Sequence, residues 1–231
     1  MTDLAAMVAE LRQHDTCVLS DALDRAGVEG VAHGLGPLTV DQALVGRVRT
    51  MQLAPDDGTH TTRVHLGAAV ILRAGSDEVI VIAGGSTEAA GWGGLLTRGA
   101  RQRGVAGVVI DGASRDIPEA RGMTFPIYGR AATPTSARKR LVETAVDQPV
   151  VVAGVPVDAG DYVVADASGV VFIPGGRIAE ILSIAGEIAR AEQGFVSELK
   201  NGTAIDEVLD LRYETLTAAG KAAGERHAHA E

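Results

Sequence analysis

The chain has 231 residues and a formal net charge of −9, from 21 lysines and arginines against 30 aspartates and glutamates. The length suits one domain with extensions and a large core that needs no staples, and the acidic balance argues against a nucleic-acid-binding face. One cysteine, Cys17, excludes an intramolecular disulfide framework, no apolar run approaches the roughly 20 residues of a membrane span, and the N-terminus is not basic then apolar, so a protein of the reducing cytoplasm is expected.

Residues 3–14 read as a helix with Leu4, Met7, Val8 and Leu11 on one face. Thr16 or Ser20 is the expected cap of a second helix over 21–25, stopped by Gly27. Residues 45–53 are strand-like and 55–58 form a turn or loop; 64–73 read as a helix ending at Gly75. The run EVIVIA at 78–83 is a buried strand leading into a glycine-rich loop over 84–94. A helix from about Gly93 to Arg103 follows, with Leu95, Leu96, Gly99 and Ala100 as one close-packing stripe, until Gly104 stops it. Strands are expected at 107–111, 125–128, 150–153 and 162–165, and a tight turn at 166–169 leads into another at 170–173, closed by Pro174. Residues 177–199 give the clearest helical pattern, with Ile178, Ile181, Leu182, Ala185, Ile188 and Ala189 at helical spacing. Asn201-Gly202 ends it, and Thr203 with Asp206 starts a last helix. The fold class is α/β, a single domain over 1–220 with a mixed sheet, N-terminal helices and a helical arm from about 177; the polar tail 221–231 is expected to be disordered.

Two strand-to-loop junctions carry the chemistry. The first is Gly84-Gly-Ser-Thr-Glu-Ala-Ala-Gly-Trp-Gly-Gly94, where free amides at the start of a helix attract anions. The second is Gly107-Val-Val-Ile-Asp-Gly-Ala-Ser-Arg115-Asp116, an apolar strand that stops at Asp111-Gly112 and then presents a cation and a carboxylate. Arginine can fork onto a small anion while aspartate takes a cation. Each junction alone has a plainer reading, a tight packing turn or a surface ion pair; together they point to an enzyme.

The glycine loop matches neither dinucleotide nor P-loop spacing and holds no lysine, so nucleotide cofactors are not expected. Arg138-Lys139-Arg140 reads as a helix cap or a solvated patch, and Ser20-Asp21 as a helix cap. His60 and His65 are poorly spaced to share a metal on a helix. Cys17 reads as a buried apolar residue, Trp92 as a shield over the loop, and Glu187 and Glu192 as a solvated helix face.

The ordered set GGSTEAAGWGGLL, GVAGVVIDGASRD, FPIYGR and GDYVVADASGVVFIP, with TCVLSDALDR upstream, resembles the RraA-like family. That family includes metal-dependent class II 4-hydroxy-4-methyl-2-oxoglutarate aldolases and oxaloacetate decarboxylases, and many members carry a methyltransferase label that the absent methylase glycine motif contradicts. The resemblance implies a swivelling β/β/α-type domain in homotrimers or homohexamers, with sites between subunits. It implies that the backbone of Gly93, Gly94, Leu95 and Leu96 and the side chain of Arg115 bind a pyruvate-like 2-oxo acid. Asp116 would hold Mg²⁺ or Mn²⁺, and Glu192 of a neighbouring subunit would complete the site.

In the aldolase branch an acidic residue commonly follows the glycine at 93, and here the position is Gly94; the regulator branch lacks the complete Arg-Asp pair that this chain keeps. The implied activity is retro-aldol cleavage of a 4-hydroxy-2-oxo acid or decarboxylation of oxaloacetate through a pyruvate enolate, catalysed by Arg115 and Asp116. Gly94 tilts the balance towards decarboxylation, or towards a different base such as Glu88. The competing expectation is a non-catalytic regulator that binds a protein partner. No nucleic-acid or membrane partner is expected.

Overall fold

A computed structural model describes residues 4–40, 42–59 and 65–216. Helices α1 (Leu4–Leu11) and α2 (Thr16–Ala26) lead into short strands β1 (Val31–Ala32) and β2 (Gly36–Pro37) and the long strand β3 (Leu44–Pro55). Then come α3 (Ala68–Arg73), β4 (Glu78–Ala83), β5 (Ala90–Trp92), α4 (Gly94–Gln102), β6 (Gly107–Ser114), α5 (Ile117–Gly122) and β7 (Ile127–Ala132). Strands β8 (Leu141–Val146), β9 (Val150–Val152), β10 (Val155–Val157), β11 (Tyr162–Asp166) and β12 (Gly169–Ile173) follow, and a short 3-10 turn precedes the long α6 (Ile178–Lys200). Two single-turn helices, α7 (Ile205–Val208) and α8 (Leu211–Glu214), close the described chain.

Ten strands form one mixed sheet whose main path is β1-β12-β11-β3-β4-β6-β7-β2. The middle of it, β3, β4, β6 and β7, is parallel, while β11 and β12 pair antiparallel through a two-residue turn between Asp166 and Gly169. Burial on both faces is why β4 reads as an unbroken apolar run rather than an alternation. Val79, Val81 and Ala83 face one core with the β9–β10 hairpin; Ile80 and Ile82 face the other with α3, α4 and α5. The same two-residue period splits β12, where Val170 and Phe172 meet the hairpin and Val171 and Ile173 meet α1, α2 and α6. Hairpin, sheet and helices make the β/β/α layering that the resemblance implies.

Several boundaries differ from the sequence expectation for identifiable reasons. Asp15, not Thr16 or Ser20, caps α2, its carboxylate accepting from the Val18 amide at 2.9 Å, so the helix starts five residues earlier than 21. Cys17 is exposed, because Thr16, Val18 and Leu19 turn the buried face of α2 inward. Leu95 is 86% exposed and leaves the expected stripe; Gly94, Thr97 and Ala100 are the buried face of α4. The strand at 107 runs on past Asp111-Gly112 to Ser114, through a register shift between Ile110 and Ala113. No helix follows Arg138-Lys139-Arg140, which leads into β8. Thr203 does not cap the last helix, whose first turn begins after Ala204 without a side-chain cap. The expected helix over 64–73 is described only as α3, with residue 64 outside the described residues, as are His60 and the tail 221–231. Among the described residues no helix is long and apolar enough to cross a membrane.

The N-terminal helices are tied to the sheet by one carboxylate. Asp166, at the end of β11, accepts from the Thr16 hydroxyl at 2.6 Å and the Thr16 amide at 2.9 Å, and from the Ser168 amide at 2.8 Å. Burial pushes the Asp166 carboxyl up, but the Thr16 bonds and those from the turn outweigh it and hold the group below its ordinary range. We predict that Asp166→Ala costs about 1–3 kcal/mol in urea denaturation at neutral pH. Because the folded pKa is depressed, this contribution is present in full above the unfolded value of about 4 and fades as pH falls through the lower folded value. An unchanged urea midpoint at pH 7 contradicts it.

Candidate active site

Parallel strands β4 and β6 are neighbours, so the segments that leave their C-terminal ends emerge at the same edge of the sheet. The glycine-rich loop after β4 is not irregular throughout: its end forms β5, which pairs with the extension of β6 through Ala90↔Ala113 and Trp92↔Ser114. The Arg115 amide donates to the Trp92 carbonyl at 3.0 Å and the Ala113 amide to the Ser86 carbonyl at 2.8 Å. These bonds lay the first turn of α4 directly against Arg115 and Asp116.

Trp92 anchors the junction from below. It is buried in the helix-side core, and its indole N–H donates to Thr97 Oγ1 at 2.9 Å, while the Thr97 hydroxyl lies 3.1 Å from the Gly93 carbonyl. Trp92 is thus a core anchor rather than a shield over the loop.

Above it, Gly93 and Gly94 are glycines because side chains from α5 and its approach occupy the space. A Cβ at Gly93 would lie 2.8 Å from Arg115 Cγ and 2.9 Å from Asp116 Oδ2. The Gly94 amide, one of the N–H groups that helix geometry leaves without an intrahelical acceptor, donates to Asp116 Oδ2 at 2.9 Å. The Leu95 and Leu96 amides come next in the same turn.

Asp116 itself sits at φ 58°, in the left-handed region, where it turns the chain from β6 into α5. Pro118 falls in the first turn of α5, where its missing N–H does no harm and its fixed φ favours the helix. The Arg115 guanidinium lies beside the Asp116 carboxylate at 3.3 Å, and both side chains are over a third exposed.

Gly93, Gly94, Leu95, Leu96, Arg115 and Asp116 all line one cleft of about 710 Å³. Its other walls include Asp56, His65, Ser136, Arg138, Lys139 and Glu143. The sequence pattern did not single these out as one wall, since they come from the β3–α3 connection, the β7–β8 connection and β8 itself, which the pairing of β8 with β3 brings together. Arg138 and Lys139 are cleft residues, not a helix cap, and Lys139 has a φ of 58°. The basic triplet after a Pro-Thr-Ser run was the one signal available for them. Glu88 is not among the lining residues.

Glu192 is elsewhere in its own chain. It lies on α6 facing α2, where burial and then the charges of Asp21 and Asp15 push its carboxyl up. Burial and then the charges of Asp24 and Asp15 push the Asp21 carboxyl up as well.

Among the described residues no three His, Cys, Asp or Glu side chains converge on a point that could hold a metal. A hard cation that takes one or two carboxylates and fills its shell with water and substrate oxygens does fit Asp116 at the edge of an open cleft.

The family model described as RraA-like: Aldolase/RraA matches residues 16–172. Protein DlpA of Legionella pneumophila is 28% identical over 210 residues, covering 90% of this chain but 34% of its own, so the chain spans about a third of that relative's length. A Halalkalibacterium halodurans protein provisionally named 4-hydroxy-4-methyl-2-oxoglutarate aldolase is 32% identical over 175 residues, 76% of this chain and 80% of its own. Among solved structures, Streptomyces coelicolor RraAS2, described as an unusual member of the RNase ES inhibitor RraA protein family, superposes with a TM-score of 0.73 at 29% identity. That superposition covers 81% of this chain and 94% of RraAS2.

The Trp92–Thr97 bond generates a prediction. Thr97→Val leaves a buried indole N–H without an acceptor and should cost about 1–3 kcal/mol in chemical denaturation. Trp92 is the sole tryptophan, so its fluorescence reports the change directly. Unaltered stability and an unaltered emission maximum would show that the bond does not order the junction.

Proposed function

The chain belongs to the RraA-like family, and from that premise we propose that it is a carbon–carbon lyase acting on a 2-oxo acid. Relatives named as 4-hydroxy-4-methyl-2-oxoglutarate aldolases support a lyase. The observation that carries the reading is the meeting of the α4 first turn with Arg115 and Asp116 on one cleft. Our reading is retro-aldol cleavage of a 4-hydroxy-2-oxo acid, decarboxylation of oxaloacetate, or both.

In this proposal the substrate carboxylate lies on the Leu95 and Leu96 amides and on the Arg115 guanidinium, next to the Gly94 amide that Asp116 already takes. Asp116 holds Mg²⁺ or Mn²⁺, which when bound supplies Lewis-acid polarisation of the 2-oxo oxygen. As the C3–C4 bond breaks, its electron pair passes into C2–C3, C4 leaves as CO2 from oxaloacetate or, its hydroxyl having given its proton to a base, as a second carbonyl compound, and negative charge collects on the former ketone oxygen as a pyruvate enolate. Arg115 faces the place where that charge develops, so its attraction is stronger in the transition state than in the bound substrate. Solvent then returns a proton to C3. Lys139 also lines the cleft, and the enolate route needs no Schiff base from it.

The assembly belongs to the same proposal. Leu95 stands 86% exposed at the cleft, and Leu72 is 68% exposed on the adjoining α3. A second copy covering them, in a homotrimer or homohexamer, would shelter the cleft, and Glu192 of the partner subunit is our candidate for completing it.

A second reading is favoured by the likeness to RraAS2: a regulator that binds a protein partner and catalyses nothing. Pyruvate release from oxaloacetate and from 4-hydroxy-2-oxo acids, with Mg²⁺ or Mn²⁺ and with a chelator, separates the two. We expect Arg115→Ala and Asp116→Ala each to lower metal-stimulated release by at least about 10²-fold, the scale of losing one electrostatic stabiliser. Turnover no faster than free metal in the wild type, or wild-type rates in either variant, favours the regulator.

A further inference from the structure

Retro-aldol cleavage needs a group that takes the proton of the C4 hydroxyl, and the residues assigned so far leave that place open. Gly94 has no side chain to offer, and Glu88 is not on the cleft wall. Arg115, Arg138 and Lys139 are cations that donate hydrogen bonds and accept none. Three carboxylates line the cleft, and each already takes a backbone amide: Asp116 from Gly94 at 2.9 Å, Glu143 from Gly67 at 2.7 Å and Asp56 from Gly58 at 2.9 Å. Asp116 is besides the residue assigned to the cation. His65 is the remaining titratable side chain on the wall.

The ring of His65 is held in a form that can accept a proton. Its Nδ1 lies 2.7 Å from the carbonyl oxygen of Leu66. A carbonyl only accepts, so in the neutral ring Nδ1 carries the hydrogen and Nε2 the lone pair. Nε2 has no partner among the described residues. When Nε2 takes a proton the ring becomes a cation, and the Leu66 carbonyl then accepts a stronger, charge-assisted bond. Imidazole is also the side-chain type that exchanges protons near neutral pH, where a general base works best.

The backbone brings this ring to the end of α4 that offers its amides. Gly67, two residues on, gives its amide to Glu143 of β8, and its φ of 84° turns the chain into α3. A Cβ at Gly67 would come within 3.1 Å of the Leu96 side chain, so this segment packs on the first turn of α4. The Ala68 amide donates back to the His65 carbonyl at 3.0 Å and closes the turn. With the substrate carboxylate on the Leu95 and Leu96 amides and Arg115, the wall that carries His65 is the part of the cleft left for C4.

We propose that His65 is the general base of retro-aldol cleavage, taking the C4 hydroxyl proton on Nε2. The O–H electron pair becomes the second bond of a C4 carbonyl, and the C3–C4 pair passes into C2–C3 to give the enolate. Solvent protonates C3 and takes the proton back from His65, which is then neutral for the next turnover. The inference rests on the lyase reading and adds a catalytic residue to it. Oxaloacetate has no such hydroxyl, so its decarboxylation does not call on this base.

That difference is the test, read as pyruvate release with Mn²⁺ from 4-hydroxy-4-methyl-2-oxoglutarate and from oxaloacetate. We expect His65→Ala to lower kcat for cleavage by about 10²-fold or more, a loss at least about 10 times larger than its loss in decarboxylation. His65→Gln keeps a polar side chain without a base and should show the same split. Added imidazole should restore part of the cleavage rate of His65→Ala. Equal losses in the two reactions, or wild-type cleavage in either variant, overturns the proposal. A wild type that decarboxylates oxaloacetate but leaves the hydroxy acid intact overturns the base and leaves the lyase reading standing. A wild type no faster than free metal on either acid refutes the lyase reading and the base with it.

Discussion

The arrangement depends on two parallel strands, β4 and β6, being neighbours in the sheet. Strands that run the same way end at the same edge, so the segment after Ala83 must start out beside the extension of β6 that runs from Asp111 to Ser114. Nearness alone would leave two loops free to diverge. The pairing of β5 with the last residues of β6 removes that freedom, because Trp92 and Ser114 are held in one ladder before either chain turns into its helix. The distance from the Gly94 amide to Asp116 is thus set by sheet geometry rather than by loop conformation, and the rigid layers on both faces of β4 hold the sheet in turn. A site supported by strands and helix starts keeps its geometry better than one built on mobile loops.

How much of this was legible in the sequence follows from what the signals measure. The unbroken apolar run at 78–83 and the helical spacing from Ile178 to Ile188 are local patterns of burial, and both elements stand where those patterns put them. Short paired segments were not legible. β5, β8 and β10 are three to six residues long, and whether such a stretch is a strand depends on its distant partner; for β8 that partner is β3, more than 80 residues earlier. The cap of α2 differs for the same kind of reason, since Thr16, a good cap by type, donates its hydroxyl to Asp166, 150 residues later. Arg115-Asp116 and Gly93-Gly94 were legible as two loops rich in chemistry, while Leu95 and Leu96 joined them only through the family resemblance. Arg138 and Lys139 were not, because nothing local says that a basic triplet will face a cleft built from other strands.

The glycines at 93 and 94 show how a sequence signal can be right in type and different in cause. Glycine in such a loop suggests a backbone that must come close to a ligand. Here the close approach is first of all to the protein's own side chains: Arg115 and Asp116 over Gly93, Glu119 over Gly94. Neither glycine needs an unusual backbone angle for this; Gly93 has φ −169°, which any residue adopts. What each supplies is the absence of a Cβ, and with it room for charged groups from α5 to reach the first turn of α4. The loop and the Arg-Asp pair, which look like separate motifs along the chain, are two halves of one packing arrangement.

Whether Arg115 and Asp116 serve stability or a ligand can be weighed on energetic grounds. A charge-assisted hydrogen bond between a guanidinium and a carboxylate settles near 2.7–2.9 Å, about half an ångström shorter than the 3.3 Å here. Both groups are over a third exposed, and such pairs contribute about 0–1 kcal/mol. Against that stands the left-handed conformation of Asp116, which costs on the order of 1 kcal/mol even for a residue type that tolerates it. The Asp116 carboxylate also accepts from the Gly94 amide at 2.9 Å and so stabilises the start of α4, whereas the weak, exposed pair gives Arg115 no comparable role in the fold. The same strain turns the Asp116 carboxylate back over the opening of α4 and leaves the Arg115 guanidinium at the cleft, the geometry that gripping a small anion beside a cation requires.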